Sequence, residues 1–459
     1  MLMRFYKTLF ILSLLSLLQL LFTGCQTLSR TVASKLQANV SNSMYPASQS
    51  TNPILSQSPP TVDLSQYKSI HTRPHQNPDI AIAVAASGGG YRAANLTAGV
   101  LMGLEQITDP HLQGNLLHDV DYFSTVSGGG FGVGYYIASL KNFMQTHDQS
   151  GPFSPQFSFT NTMHEVLDDN PLDTDYTDKL FFDSNRNQEI ERGFAASILK
   201  TKTGTLTLGD MFIPRSSPNL VTLPYWVSNS TIYQNAQIFP FTPAVLSKYG
   251  VNSYPYDNHA YPVTNYYNIP AAVGMTASAS FPFALTPTTL GSNACVDKNN
   301  CYLQLLDGGL ADNLGIYTAL DLLKQDSAKT KILIVIDAYA GQDEPFSKQI
   351  TPPSGSTLFW GVLGMGTNAS RQIIKRHINS MAISQLCTNG TKKILVIYLD
   401  LENYALARSV RTNLFIPRIQ QKLLLDIGQE LVRNNSQFNQ SLKPFLNPNS
   451  RIGLCRYEQ

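Results

Sequence analysis

The sequence predicts an α/β fold, a parallel sheet with helices packed on it. Three observations carry this reading. IAIAVAA, Ile80 to Ala86, is a short unbroken apolar run, the pattern of a strand buried on both faces. The order strand, glycine turn, helix then occurs twice. SGGGYRAA and the helically spaced ANLTAGVLMGLEQI follow the first run, and VDYFSTV is followed by SGGG and FGVGYYIASLKNFM. Two further apolar runs, KILIVIDAYA and KKILVIYLDL, read as central strands, the first preceded by a helix from Ile316 to Lys324.

The remaining elements follow from local pattern. NLVTLPYWVSN is a strand candidate, and NLFIPRIQQKLLLDIGQELVRNN reads as the last long helix. Residues 147–218 have weak periodicity and many Asp and Asn residues, and are read as an insertion within one domain. Tyr249 to Pro270, rich in Tyr and Pro, reads as an ordered loop. STLFWGVLGMG, Ser356 to Gly366, is apolar and punctuated by glycine. Its readings are packed core, the lining of an acyl-chain channel, or a membrane-facing lid.

The 459 residues carry 33 Lys and Arg against 31 Asp and Glu, a net charge of +2. The basic residues are scattered, so no stripe marks a nucleic-acid partner. Arg4 and Lys7 flank the start of an apolar run from Leu9 to Phe22, too short to span a membrane and suited to a signal peptide. The run ends in LLFTGC, which resembles a bacterial lipoprotein signal. That resemblance implies cleavage after residue 24 and lipidation of Cys25, with Gln26 favouring the outer membrane over inner-membrane retention. An uncleaved anchor and ordinary secretion are the alternatives. Residues 25–67, rich in Ser, Gln, Asn and Pro, are expected to form a flexible tether. The domain is expected over 68–459.

With Cys25 lipidated, Cys295, Cys301, Cys387 and Cys455 remain, an even number that suggests disulfides in an exported chain. Cys295 with Cys301 and Cys387 with Cys455 is one of three connectivities, and the spacing does not choose among them. No spacing suits zinc. The acidic run DDNPLDTDYTDK beside His164 lacks the glycine and closing glutamate of a calcium loop and reads as solvated loop. No metal or other cofactor is expected.

Three segments carry chemistry. In STVSGGGFG, Ser127 stands on a predicted strand-to-helix turn whose crowding requires small neighbours, and Gly128 and Gly129 supply them. Thr125 occupies the first glycine position of the G-x-S-x-G elbow, and Ser127 is equally a good helix N-cap, so both readings stand on the residues alone. In SGGGYR, Gly88, Gly89 and Gly90 let backbone N–H groups converge on a phosphate or an oxyanion. No P-loop lysine or complete G-x-G-x-x-G is present, which favours an oxyanion hole, with Gly128 as a further donor. Arg92 either fixes this loop or meets a lipid phosphate. In LLDGGLADNLG, Asp307 is a candidate base for Ser127, or simply an Asp-Gly turn.

Taken in order, Gly88-Gly89-Gly90 with Arg92, then Ser127, then Asp307 resemble the patatin-like phospholipases, including their cytosolic phospholipase A2 branch. VSNSTIYQNAQIFPFTP, ASASFPFALTP and DNLGI resemble further family segments, so the likeness runs from about Ile80 to Leu401. It implies a three-layer α/β/α fold with a mainly parallel central sheet and insertions. It also implies a Ser127–Asp307 dyad that cleaves phospholipid or another acyl ester through an acyl-enzyme. Three alternatives remain: an acyltransferase on the same serine, a triad esterase using His377, and a non-catalytic lipid-binding envelope lipoprotein. His377, beside Lys375 and Arg376 in a helical pattern, reads better as a surface histidine.

Overall fold

A computed structural model describes residues 59–73, 77–112, 114–147, 157–166, 170–173, 186–221, 223–256, 259–282, 284–294, 301–341, 361, 364–376, 393–413, 415–442 and 446. The first strand–turn–helix unit is β1 (Ile80–Ala86) and α1 (Gly90–Glu105), and the second is β2 (Tyr122–Val126) and α2 (Gly128–Thr146). The insertion contributes α3 (Arg186–Ala196). There follow β3 (Tyr225–Ile232), β4 (Ile238–Phe241), β5 (Val251–Tyr256), β6 (His259–Pro262) and α4 (Ala271–Ser278). The chain continues through β7 (Thr288–Ser292), β8 (Cys301–Asp307), α5 (Ile316–Gln325), β9 (Thr330–Asp337), β10 (Lys393–Asp400) and α6 (Arg418–Asn434).

The strands form one mixed ten-stranded sheet in the order β10-β9-β1-β2-β3-β8-β7-β5-β6, with β4 paired to β3. The five strands from β10 to β3 run parallel. The pairs beyond β3, and β3 with β4, are antiparallel. β1 is buried along its whole length and β9 along all but its first residue, as parallel strands covered on both faces require.

Adjacent residues of β2 mark the two faces. Thr125 Oγ1 accepts from Trp226 Nε1 at 2.8 Å, and Phe123 packs edge-on to Tyr136 of α2, on one side. Ser124 Oγ, on the other, donates to Gly315 O at 2.5 Å, where α5 begins. The helical layer beside α2 is completed by α1 and α6. These two approach to backbone contact, and a Cβ on Gly99 would lie 2.3 Å from Leu425 O. The described domain is thus layered α/β/α.

Two expectations are corrected. Tyr249 to Pro270 is not loop throughout, because Val251–Tyr256 and His259–Pro262 pair as a hairpin that extends the sheet. Alternation of Tyr and Pro hid the period of this edge strand pair. The end of the expected tether is also docked. Val62 and Tyr67 are buried, Tyr67 packs against Phe212 and Tyr225, and Ala244 N donates to its hydroxyl at 2.9 Å. The docked segment continues past Tyr67. His71 Nε2 meets both carboxylate oxygens of Asp326 at 2.9 and 3.0 Å, and Arg73 pairs with Asp121 at 3.4 Å. These partners lie at the N-terminal ends of the parallel strands. Cys25, the apolar leader and residues 25–58 lie outside the described residues. Among the described residues no helix is long and apolar enough to cross a membrane.

Candidate active site

The site forms at the C-terminal ends of β1 and β2, where glycine turns bring two helix N-termini together. Ser127 leaves β2 with φ 48° and ψ −126°, a left-handed backbone that costs a non-glycine residue about 1–3 kcal/mol. Its side chain makes no capping bond to α2. The serine therefore occupies the N-cap position on a strained turn with its side chain left free of capping. Of the three following glycines, the first two are required by close approach to backbone and the third is tightly fitted. A Cβ on Gly128 would lie 2.0 Å from Gly90 O, and one on Gly129 would lie 2.6 Å from Ser87 O. A Cβ on Gly130 would lie 3.0 Å from Thr125 Oγ1. Gly130 thus makes the room that lets Thr125 stand where the elbow motif has a glycine.

Asp307, the last residue of β8, reaches the same point. It is 4% exposed, and the Ser127 side chain lies near enough to its carboxyl to favour the ionised form. Gly309 N donates to Asp307 Oδ1 at 2.7 Å. Burial pushes the Asp307 carboxyl up to about 6, against the opposing effects of the Gly309 amide and the Ser127 side chain. A carboxylate so placed is ionised at neutral pH yet basic enough to share a proton with a hydroxyl.

The glycine loop divides differently from the expectation. Gly88 N donates to Asn313 O at 3.1 Å, so Gly88 is not an oxyanion donor. Its role is closeness, since a Cβ there would lie 2.6 Å from Asn313 Oδ1 and 3.4 Å from Ser127 Cβ. The N–H groups of Gly89, Gly90 and Gly128 meet no acceptor among the described residues. Gly89 has φ 147° and Gly90 φ 60°, conformations that turn the backbone back toward Gly128. Two helix N-termini thus approach each other here, with these three amides unengaged among the described residues.

Arg92 is 5% exposed. Its Nε donates to Ala338 O and its Nη1 to Val410 O, each at 2.8 Å, and burial lowers its pKa to about 10. Of the two readings, the structure realises loop support, because the guanidinium is held inside by carbonyls. Ser87 Oγ accepts from Ala338 N at 2.8 Å and ties the same loop from the other side. Asp337, next to it, is held by Arg371 Nε and the Tyr398 hydroxyl, each at 2.5 Å.

Several positioning residues were not singled out from sequence. Ser127 N donates to Ser278 Oγ at 2.9 Å, and Ser278 Oγ donates to Asn229 O at 2.6 Å. Asn229 Nδ2 donates to Ser124 Oγ and to Thr125 O, and Asn229 Oδ1 accepts from Thr318 Oγ1 at 2.6 Å. Asp307 N donates to Ser280 O, and Gly308 N to Ser278 O. Asn187 of α3 reaches Ser280 Oγ at 3.4 Å, so the insertion touches the segment just after α4, near Ser278, which bonds Ser127 N and Gly308 N. The ASAS repeat and the Asn of VSNS were the available signals, but small polar residues in an apolar segment do not announce their partners. Asp312 serves structure, accepting from the N–H groups of Leu314, Gly315 and Tyr317 at the start of α5.

Cys301 is disulfide-bonded. Cys295, Cys387, Cys455 and His377 lie outside the described residues, as does most of 356–366. His164 is exposed on the short helix Phe159–Glu165. Among the described residues no group of three or more His, Cys, Asp and Glu is arranged to hold a metal.

No curated protein matches the chain. Among solved structures it is similar to human GIVD cytosolic phospholipase A2, at 10% identity and a TM-score of 0.32, over 57% of this chain and 46% of that one. It is also similar to the same human protein in complex with methyl gamma-linolenyl fluorophosphonate and terbium chloride, at 10% identity and TM-score 0.40, over 80% and 59%. A third similar structure is VipD from Legionella pneumophila, at 12% identity and TM-score 0.30, over 82% and 70%. The chain spans about half of the length of the human structures it matches. The family model described as patatin-like phospholipase matches residues 84–320, which run from β1 through Ser127 and Asp307 into α5. That match takes in slightly more than half of the chain, and the chain belongs to the patatin-like phospholipase family, a family of serine lipid acyl hydrolases.

Proposed function

We propose that this protein hydrolyses acyl esters of phospholipids through a Ser127–Asp307 dyad. The observation that supports the reading is the meeting of a serine on a strained turn with a buried carboxyl that feels its side chain and whose pKa is raised to about 6. Asp307 accepts the Ser127 hydroxyl proton as Ser127 Oγ bonds to the ester carbonyl carbon. The amides of Gly89, Gly90 and Gly128 stabilise the oxyanion, and one such donor contributes about 3–4 kcal/mol in other hydrolases. Collapse breaks the ester C–O bond, and the proton on Asp307 passes to the leaving alcohol. Water then attacks the acyl-serine, gives a proton to Asp307, and releases the fatty acid as Ser127 recovers its proton.

The LLFTGC segment supports a further placement, lipidation at Cys25 and a position on the cell envelope, with the outer membrane as the site. Metabolic labelling with a palmitate analogue, lost in Cys25→Ser, tests that part.

The dyad is tested by labelling with a fluorophosphonate and mapping the adduct by mass spectrometry. Modification at Ser127, with loss of phospholipid hydrolysis in Ser127→Ala and Asp307→Ala, is the expected result. Hydrolysis that persists in either folded variant rejects it.

A further inference from the structure

The segment 403–425 joins two kinds of side chain beside the glycine loop. Leu406 is 71% exposed, Phe415 39% and Ile419 76%. Arg408, Arg411, Arg418 and Lys422 lie among them, and Asn403 to Leu425 contain no Asp or Glu. Glu402 and Asp426 close the segment on either side. Arg411, Arg418 and Lys422 are exposed and Arg408 is half-buried.

This collar is built onto the oxyanion loop. Asn413 O accepts from Tyr91 N at 2.9 Å, and a Cβ on Gly90 would lie 2.4 Å from Asn413 O. Val410 O accepts from the buried Arg92 Nη1. The short helix Ala405–Arg408 carries Leu406, and the first turns of α6 carry Ile419 and Lys422. The latter helix is seated on α1 at backbone contact distance. Leu406 and Ile419 are therefore carried on helices, the second of which is packed on α1. Singly exposed leucines are ordinary on protein surfaces. Here three large apolar groups share a short, purely cationic segment that touches the candidate oxyanion donors.

We infer that the 403–425 collar docks the active-site mouth on an anionic lipid surface. Leu406, Phe415 and Ile419 enter the interface while Arg411 and Lys422 meet lipid phosphates. Both signals are needed, since shallow apolar insertion and electrostatic attraction to anionic headgroups act together at a membrane interface. The inference deepens the proposed hydrolase and rests on it for its substrate, but the docking can be measured without turnover.

The test uses the full chain carrying Ser127→Ala, reconstituted into phosphatidylcholine vesicles with brominated chains, with and without phosphatidylglycerol. A tryptophan is placed by Leu406→Trp, by Ile419→Trp or, on the antiparallel flank, by Tyr302→Trp. Quenching above the parent is expected at 406 and 419 with phosphatidylglycerol and not at 302. In the same vesicles Arg411→Glu with Lys422→Glu is expected to reduce the docked fraction about tenfold or more, each cation near an anionic surface being worth about 1 kcal/mol. Absence of quenching at 406 and 419, or equal quenching at 302, overturns the docking. Undiminished quenching after charge reversal overturns the anionic part. A dimer abolished by Leu406→Ser with Ile419→Ser, with no quenching, would replace the lipid with a second copy of this chain.

With Ser127 intact, Leu406→Ser with Ile419→Ser should leave hydrolysis of a dissolved short-chain ester unchanged and slow hydrolysis of vesicle lipid about tenfold or more. Turnover of the soluble ester with equal rates on vesicles sinks the collar alone. Quenching at the collar in a chain that cleaves no ester sinks the hydrolase alone.

Discussion

Ser278 Oγ accepts the Ser127 amide at 2.9 Å and donates its own proton to Asn229 O at 2.6 Å. The backbone of the candidate nucleophile is thereby tied to β3 through a residue of α4. This bond opposes the strain at φ 48°, because relaxing the elbow would break it.

Ser278→Ala removes both bonds and leaves Ser127 N–H and Asn229 O without this partner. The expected loss is about 1–3 kcal/mol of positioning, roughly a tenfold to hundredfold fall in kcat with a small change in KM. Steady-state kinetics on a soluble ester and circular dichroism check it. A large fall in KM-related binding with kcat intact would contradict a positioning role.

In the proposed dyad the raised Asp307 pKa sets the acid limb of activity. The base must be ionised to take the serine proton, so kcat/KM should rise with pH through about 6 and level off above it. Stability runs the other way. A carboxyl whose folded pKa lies above 3.8 adds stability that is fully present below that value and is lost as pH rises through about 6. Asp307→Asn should therefore be inactive and, at pH 8, more stable than the parent by about 1–3 kcal/mol. Thermal melts at pH 5 and pH 8 read the difference, which should shrink at the lower pH.

Arg92 holds Ala338 O and Val410 O and faces inward. Arg92→Ala should lower stability by about 2–4 kcal/mol, since two buried carbonyls lose their donor and a cavity opens. Turnover should fall by the same factor for a phospholipid and for an uncharged ester of equal chain length. A selective loss on the phospholipid would instead assign the guanidinium to the phosphate.

His71 staples the 59–73 segment to Asp326. Burial alone would lower the His71 pKa, but the Asp326 hydrogen bond and charge override it and raise the net value. Asp326 is lowered, against its own burial, first by its bonds to His71 and Tyr122. The histidine's contribution is full below about 6.5 and lost as pH rises through its folded value. The aspartate's is present above about 3.8 and lost as pH falls through its folded value. His71→Gln should cost about 1–3 kcal/mol between pH 5 and 6 and clearly less at pH 9. Limited proteolysis of 59–73 across that range reads it locally.

The amino-acid sequence alone dictates the elements whose periodicity follows from burial. IAIAVAA and KILIVIDA are strands because a segment covered on both faces must be apolar throughout. It also determined the order of the three glycine- and acid-bearing turns, since such turns are local chemistry. Tertiary structure decided whether those turns meet. The choice between elbow and helix cap at Ser127 depended on Asp307 and Ser278, each more than a hundred residues away. Gly88 and Gly89 are neighbours of one type, yet one amide is bonded to Asn313 O and the other is not. Arg92 could face a ligand or the interior until the loops at Ala338 and Val410 closed around it. A one-dimensional pattern records which groups each segment must bury. It does not record which distant carbonyl satisfies a given donor, because that pairing is set by how the layers pack.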